Sequence, residues 1–205
     1  MPTRPSKVTR NRIIKAAAPI FAEHGYEGAS IRRIVAKADV NQAAINYHFG
    51  SKEGLYRAVL QMALEALQHA DGSASDAGTG RDAALRAFVR RQLQPMLGRD
   101  ELSRYLRIFN WETVRPTTVF RKFMAEEARP YLATAAVLVR RFLSSEASDE
   151  EAMVAALWLF GQCSIFVRNC EQLARPPLGL RVDRKFVDGL GDTIARWAAA
   201  GLLAA

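Results

Sequence analysis

Two amide side chains four residues apart, Gln42 and Asn46, carry the most specific recognition chemistry in this sequence. On a helix that spacing puts both on one face. Each amide sets a donor beside an acceptor, the pattern that pairs bidentately with an adenine edge in a major groove. Ala43 and Ala44 lie between them and have no bulk to hold the helix end away from such a groove. Tyr47, His48 and Lys52 follow at the far end, residue types suited to phosphate oxygens. Ile45 and Phe49, also four apart, supply an apolar anchor on the opposite side. Plainer readings stand beside these: Tyr47 and His48 as inter-helix packing, and Lys52 as a solvated lysine at a helix start. The last position is electrostatically unfavourable without an anion. Catalytic arrangements are absent. No phosphate-cradling glycine loop or nucleophile–base set is present, and His24 and His69 join no metal-ligand cluster, so neither an enzyme nor a cofactor is expected.

The elements that must hold those side chains can be read outward from them. Ser30 suits the N-cap of a short helix carrying Ile31, Ile34 and Val35. Asp39 and Val40 make a turn, and Asn41 caps the next helix, Gln42 to His48. After Phe49 and Gly50, Ser51 caps a helix bearing Leu55, Val59, Met62, Leu64 and Leu67. Upstream, Ile14, Ala17, Ala18 and Phe21 share one helix face that ends at Gly25, where a left-handed residue is expected. Pro19 removes an N–H from that helix and predicts a kink. Two short capped helices separated by a tight turn form a helix-turn-helix pattern.

Charge separates this head from the rest. Residues 1–57 hold ten Lys and Arg against four acids, net +6, whereas the other 148 residues carry net +2. A basic excess on one small segment is the footprint of a polyanion-binding surface. Asp71–Gly80 has no bulky apolar residue and reads as a flexible loop. Beyond it the periodicity predicts helices near 81–97, 100–112, 117–143, 149–172 and 183–202. No run meets the length of about 18 continuous apolar residues for a membrane helix, so no membrane association and a cytoplasmic location are expected. Cys163 and Cys170, seven apart on one helix face, read as small buried side chains.

The run from Ser30 to Leu55, SIRRIVAKADVNQAAINYHFGSKEGL, with Phe21-Ala-Glu-His-Gly25-Tyr before it, resembles the DNA-binding signature of TetR/AcrR-type regulators. The resemblance covers roughly residues 10 to 60. It implies an all-α chain: a three-helix helix-turn-helix DNA-binding head, residues 1–57 with a connecting helix to about 70, on a larger helical ligand-binding and dimerisation domain, 71–205. It implies a cap or phosphate contact at Ser30 and a base or backbone contact at Arg32. Gln42, Ala43 and Ala44 fall at the groove-facing start of the recognition helix, and Tyr47, His48 and Lys52 at its backbone-contacting end. Three positions depart from the family pattern. Asp39 stands where Gly is usual, Asn46 where an aromatic is usual, and Pro19 is an uncommon choice in the first helix. Asp tolerates a left-handed turn, and Asn46 becomes a candidate base contact.

In the second half, the segment 149–172 is apolar over too much of its circumference for a surface helix. Met153, Leu157, Phe160, Ser164 and Val167 line one side, with Trp158, Gln162, Ile165 and Phe166 on another. The resemblance implies that this helix and the last one pair with their copies across a two-fold axis, giving a homodimer. The partners it implies are double-stranded DNA, as a near-palindromic operator, and a small-molecule effector that releases a repressor. Tyr105, Phe109, Trp111, Phe123, Gln162 and Phe166 are the candidate pocket residues, with Asn110 and Glu112 as polar fixtures; Phe120, Tyr131 and Phe160 complete the aromatic set.

Overall fold

In a computed structural model of the chain, residues 4–74, 80–98, 100–127 and 129–203 are described. All regular elements among them are helical: α1 (Arg4–Gly28), α2 (Ile31–Ala38), α3 (Gln42–Phe49), α4 (Lys52–Ala74), α5 (Arg81–Leu93), α6 (Glu101–Val114), α7 (Thr118–Glu126), α8 (Arg129–Arg140), α9 (Asp149–Arg168), α10 (Cys170–Ala174) and α11 (Arg184–Leu203). A single 3₁₀ turn, Gln94–Met96, follows α5.

The chain divides into two compact units, 1–65 with 104–127 and 66–103 with 128–205. In the first, Ile13, Ala17 and Phe21 of α1 pack with Ile34, Ile45, Leu55, Tyr56 and Val59, all buried. The break in α1 falls at Gly25 (φ 65°, ψ −177°), where the end of the helix was expected, while Pro19 keeps helical dihedrals and the kink expected there does not form. The indole Nε1 of Trp111 donates to the Ala22 carbonyl at 3.0 Å. Its ring lies 3.6 Å from where a side chain at Gly25 would begin. That distance is ordinary contact, so it is the positive φ that favours glycine there.

Glu112 is 2% exposed. Its carboxylate accepts the Tyr56 hydroxyl (2.7 Å), the Thr117 hydroxyl (3.0 Å) and the Thr117 backbone N–H (2.6 Å). Burial, then the adjoining Glu112 charge, push the Tyr56 phenol well above its ordinary range. Arg57 donates to Glu126 (2.7 Å) and Glu127 on α7, and these bonds raise its pKa further. Residues 104–127 are thereby part of the same unit as the head.

The second unit is built on Leu85, Phe88 and Val89 of α5, Ala135 and Val139 of α8, Ala156, Leu159 and Cys163 of α9, and Ile194 and Ala198 of α11. α9 starts with a capping box in which Ser148 and Glu151 bond reciprocally. The bonds from Ser148 hold the Glu151 carboxyl below its usual range. The expected helix 117–143 is two helices, α7 and α8. The expected 149–172 is broken at Asn169, which removes Cys170 from the face of Cys163. The face of α9 buried within the chain is Ala152–Ala156–Leu159–Cys163, and Leu157, on another side, is 51% exposed. α4 continues through Ala74 into the segment read as a loop, whose residues 75–79 lie outside the described ones, as do the side chains of His69 and Tyr131. By length and mean hydropathy (1.3) alone α9 is apolar enough to cross a membrane, a test that a core helix also passes. Counting unbroken apolar runs misses it because Gln162 and Ser164 interrupt the segment.

Burial pushes the Cys163 thiol up to about 12, from an ordinary 9.0. Below pH 9 the thiol is protonated folded or unfolded. Above it only the unfolded chain ionises, so this group's contribution to stability declines as pH rises from about 9 towards 12. Denaturant titrations across that window should show a downward slope that flattens in Cys163→Ala. In the native protein a thiol reagent should label Cys170 well ahead of Cys163.

Candidate nucleic-acid interface

α2 is short because its ends are chemically marked. Ile34 and Ala38 are buried, one turn apart, while Arg32, Arg33 and Lys37 face water. It stops at Asp39, whose φ of 50° and ψ of 56° are left-handed. The N–H groups of Asp39 and Val40 return to Ala36 (3.4 Å) and Val35 (3.1 Å), closing the last turn. Arg12 donates to the Asp39 carbonyl at 3.3 Å and ties this corner to α1. The reversed chain enters α3 through Asn41, whose side chain accepts the Ala44 N–H at 3.0 Å. Ser30 begins α2 in extended conformation, but its hydroxyl makes no capping bond, contrary to the cap expected of it.

α3 has one buried residue, Ile45, with Phe49 half-buried beneath the Arg10 guanidinium, 5.3 Å from the ring centre. The opposite side is open: Gln42, Ala43 and Asn46 are exposed, and Tyr47 is 80% exposed. Ala44 and His48 are half-buried, and the Tyr47 and His48 rings meet edge to face at 4.9 Å. Both amides of the candidate reading pair therefore point to solvent from one helix surface. Gly50 (φ 75°) ends α3, and the Ser51 hydroxyl accepts the Gly54 N–H (3.1 Å) to start α4.

Lys52 is already engaged. Its ammonium donates to the Glu27 carbonyl at 3.2 Å and sits 4.7 Å from the centre of the Tyr26 ring. Tyr26's phenol is shifted upward by burial, then by Glu53 and Glu27. Lys52 thus also closes the unit by joining α4 to the end of α1, a contact between residues 25 apart that spacing did not disclose. Sequence reasoning also set aside exposed Lys7, Arg10 and Arg12 of α1 as individual candidates. Arg33 bonds His24 Nε2 at 2.7 Å.

The candidate pocket residues are divided between the two units. Tyr105, Phe109, Trp111 and Phe123 belong to the first unit, Gln162 and Phe166 to the second. Tyr105 and Phe123 are fully packed. Phe109 is half-buried with its ring 5.7 Å from Phe120, and Trp111 is half exposed with its N–H committed to Ala22. Glu112 is spent on Tyr56 and Thr117. Gln162 and Phe166 are half-buried, Phe166 against the second unit's core.

Comparison with known proteins covers both segments. The profile of "Bacterial regulatory proteins, tetR family" matches residues 13–59. The profile of "HTH-type transcriptional dual regulator CecR, C-terminal domain" matches residues 82–202. The HTH-type transcriptional repressor AcnR of Corynebacterium glutamicum is 45% identical over 51 residues, spanning 25% of this chain and only 27% of that repressor. The dual regulator CecR of Shigella flexneri is 27% identical over 169 residues, 77% of this chain and 74% of that protein. Among solved structures, AibR in complex with isovaleryl coenzyme A and operator DNA superposes with a TM-score of 0.66 at 20% identity, covering 90% of this chain and 97% of that one.

Substitutions at two positions probe the geometry that aims α3. A methyl group at Gly54 would overlap the Phe49 carbonyl oxygen, so Gly54→Ala should cost about 1–3 kcal/mol through overpacking. Asp39→Gly should be tolerated, whereas Asp39→Val should cost about 1–2 kcal/mol because a bulky side chain resists the left-handed turn. Chemical unfolding of the three variants checks both.

Proposed function

This chain belongs to the TetR family of bacterial transcriptional regulators, and from that premise we propose that it is a dimeric repressor released from a near-palindromic operator by a small molecule. It is a DNA-binding regulator and not an enzyme. The observation that carries the finer reading is the outward presentation of Gln42 and Asn46 from a helix whose opposite side is anchored by Ile45 and Phe49. Gln42 and Asn46 read base edges, with Ala43 and Ala44 admitting the helix end to the groove and Arg32 contributing a base or backbone contact. Ser30, whose hydroxyl has no helical N–H to satisfy, joins Tyr47 and His48 at phosphates. Lys52 contributes charge with the N–H groups not given to Glu27.

Dimerisation is supported by α9 and α11, which leave Val154, Leu157, Trp158, Ile165 and Trp197 in water although each is large and apolar. Such a face is covered in an assembly. Two copies related by a two-fold axis would set their recognition helices roughly 34–36 Å apart, in successive major grooves. The hydropathy of α9 is accounted for by that interface, without a membrane. A location in the cytoplasm follows from the DNA partner.

The effector is assigned to the larger helical domain, residues 71–205, with partly exposed Phe109, Gln162 and Phe166 as the first positions to test. AibR, of the same fold, holds both an acyl-coenzyme A and operator DNA, which supports one fold serving both partners. A ligand acts only through different affinities for the DNA-competent and DNA-incompetent states. CecR is named a dual regulator, which favours activation at some operators as a second reading.

Fluorescence anisotropy with operator and scrambled duplexes tests the head. Gln42→Ala should lose about 1–3 kcal/mol of discrimination at one base pair. Lys52→Ala should weaken all duplexes to similar extents and flatten the salt dependence. Selective loss in Lys52→Ala, at unchanged stability, would overturn its phosphate role.

A further inference from the structure

A groove of about 810 Å³ opens where the start of α9 meets the end of α11. Leu143, Val154, Trp158 and Leu202 give it an apolar floor, and Glu146 and Glu150 stand on its rim. Val154 and Trp158 are 60% and 43% exposed, so the floor is wetted in a single chain. A second anomaly lies elsewhere in the same unit. Between α10 and α11 the chain projects Leu178 (57% exposed) and Leu180 (38% exposed) into water. This segment is a formed turn. The Gly179 N–H bonds the Arg175 carbonyl (2.9 Å), the Leu180 N–H bonds the Leu173 carbonyl (2.8 Å), and Gly179 has φ 56°. Two leucines held outward in a preformed turn lose little entropy on docking.

We propose that each groove receives the Leu178–Leu180 turn of a second copy of this chain. The proposal rests on the dimer reading above and specifies what locks that dimer. The twenty residues of α9 span about 30 Å. The groove lies along its first turns, and the leucine turn departs beyond its last. The chain's own turn is therefore at the wrong end of the helix. A two-fold axis across α9 runs the partner helix the opposite way, bringing the end of one copy against the start of the other, twice. Charge agrees with this occupant. Arg175 and Arg181 pair locally with Glu171 (3.4 Å) and Asp183 (3.2 Å). Exposed Arg184 and Lys185 remain beside the turn to face Glu146 and Glu150.

The test is a cysteine pair, V154C with L178C, in a chain also carrying C170A. Mild oxidation should give a covalent dimer on a non-reducing gel with the double variant and not with either single cysteine. A monomer with an internal disulfide would mean that the turn folds onto its own groove, and self-linking of V154C alone would mean that the partner's α9 fills it. Either result overturns the proposal. L178D with L180D should raise the dimer dissociation constant by about tenfold or more without loss of helicity, since both residues face water in the single chain. E146K with E150K should weaken the dimer, and adding R184E with K185E should restore most of the affinity. Sedimentation of the unaltered protein separates two failures. A monomer at all concentrations defeats the dimer reading itself, whereas a dimer insensitive to these changes and without the cross-link defeats only the leucine turn.

Discussion

A carboxylate withdrawn from water needs every lone pair it can satisfy, because the desolvation cost is several kcal/mol if it stays charged and unpaired. Glu112 meets that demand with a phenol from α4 and both a hydroxyl and an N–H from the turn before α7. The consequence is architectural. The three donors and the acceptor are correct only if α4, α6 and the start of α7 hold one arrangement, and α4 is the helix on which the recognition corner is mounted. Trp111 and Arg57 extend the same clamp, one to the break in α1 and the other to the end of α7. A segment more than forty residues downstream of the helix-turn-helix is thus part of its foundation.

On that foundation the recognition helix is held lightly. α3 contributes one fully buried side chain and the half-buried Ala44, His48 and Phe49, and Gln42, Ala43, Asn46 and Tyr47 are left to water. Its direction comes from its ends: a left-handed Asp39, an Asn41 cap and a positive-φ Gly50. This division suits a reading element, since side chains not needed for packing are free to vary with the partner. Lys52 is an intermediate case. It holds the end of α1 while keeping its charge near the same surface.

The second unit shows the opposite balance. α9 has more apolar surface than one chain can cover. Ala152, Ala156, Leu159 and Cys163 face inward, and Val154, Leu157, Trp158 and Ile165 face out. Small residues on the inner face let α9 lie close to its neighbours. The large residues left outside then concentrate exposed apolar surface on one side of the helix.

What could be read without coordinates was local. Helical periodicity, the caps at Asn41 and Ser51, the left-handed turn at Asp39 and the outward face of Gln42 and Asn46 depend on residues within one or two turns of each other. Those forces act whatever the rest of the chain does. The absence of a kink at Pro19, the uncapped hydroxyl of Ser30 and the division of α9 from α10 departed from what local chemistry predicts. The engagement of Lys52 and the bond from Trp111 to α1 were not legible in this way either. Neither was the alliance of residues 104–127 with the head. These depend on partners 25, 56 and 89 residues away, where spacing carries no information about who meets whom. Local chemistry determined the helices and the outward face of Gln42 and Asn46. Only long-range burial, with the requirement that each buried polar atom find its donor, decided which helices stand together.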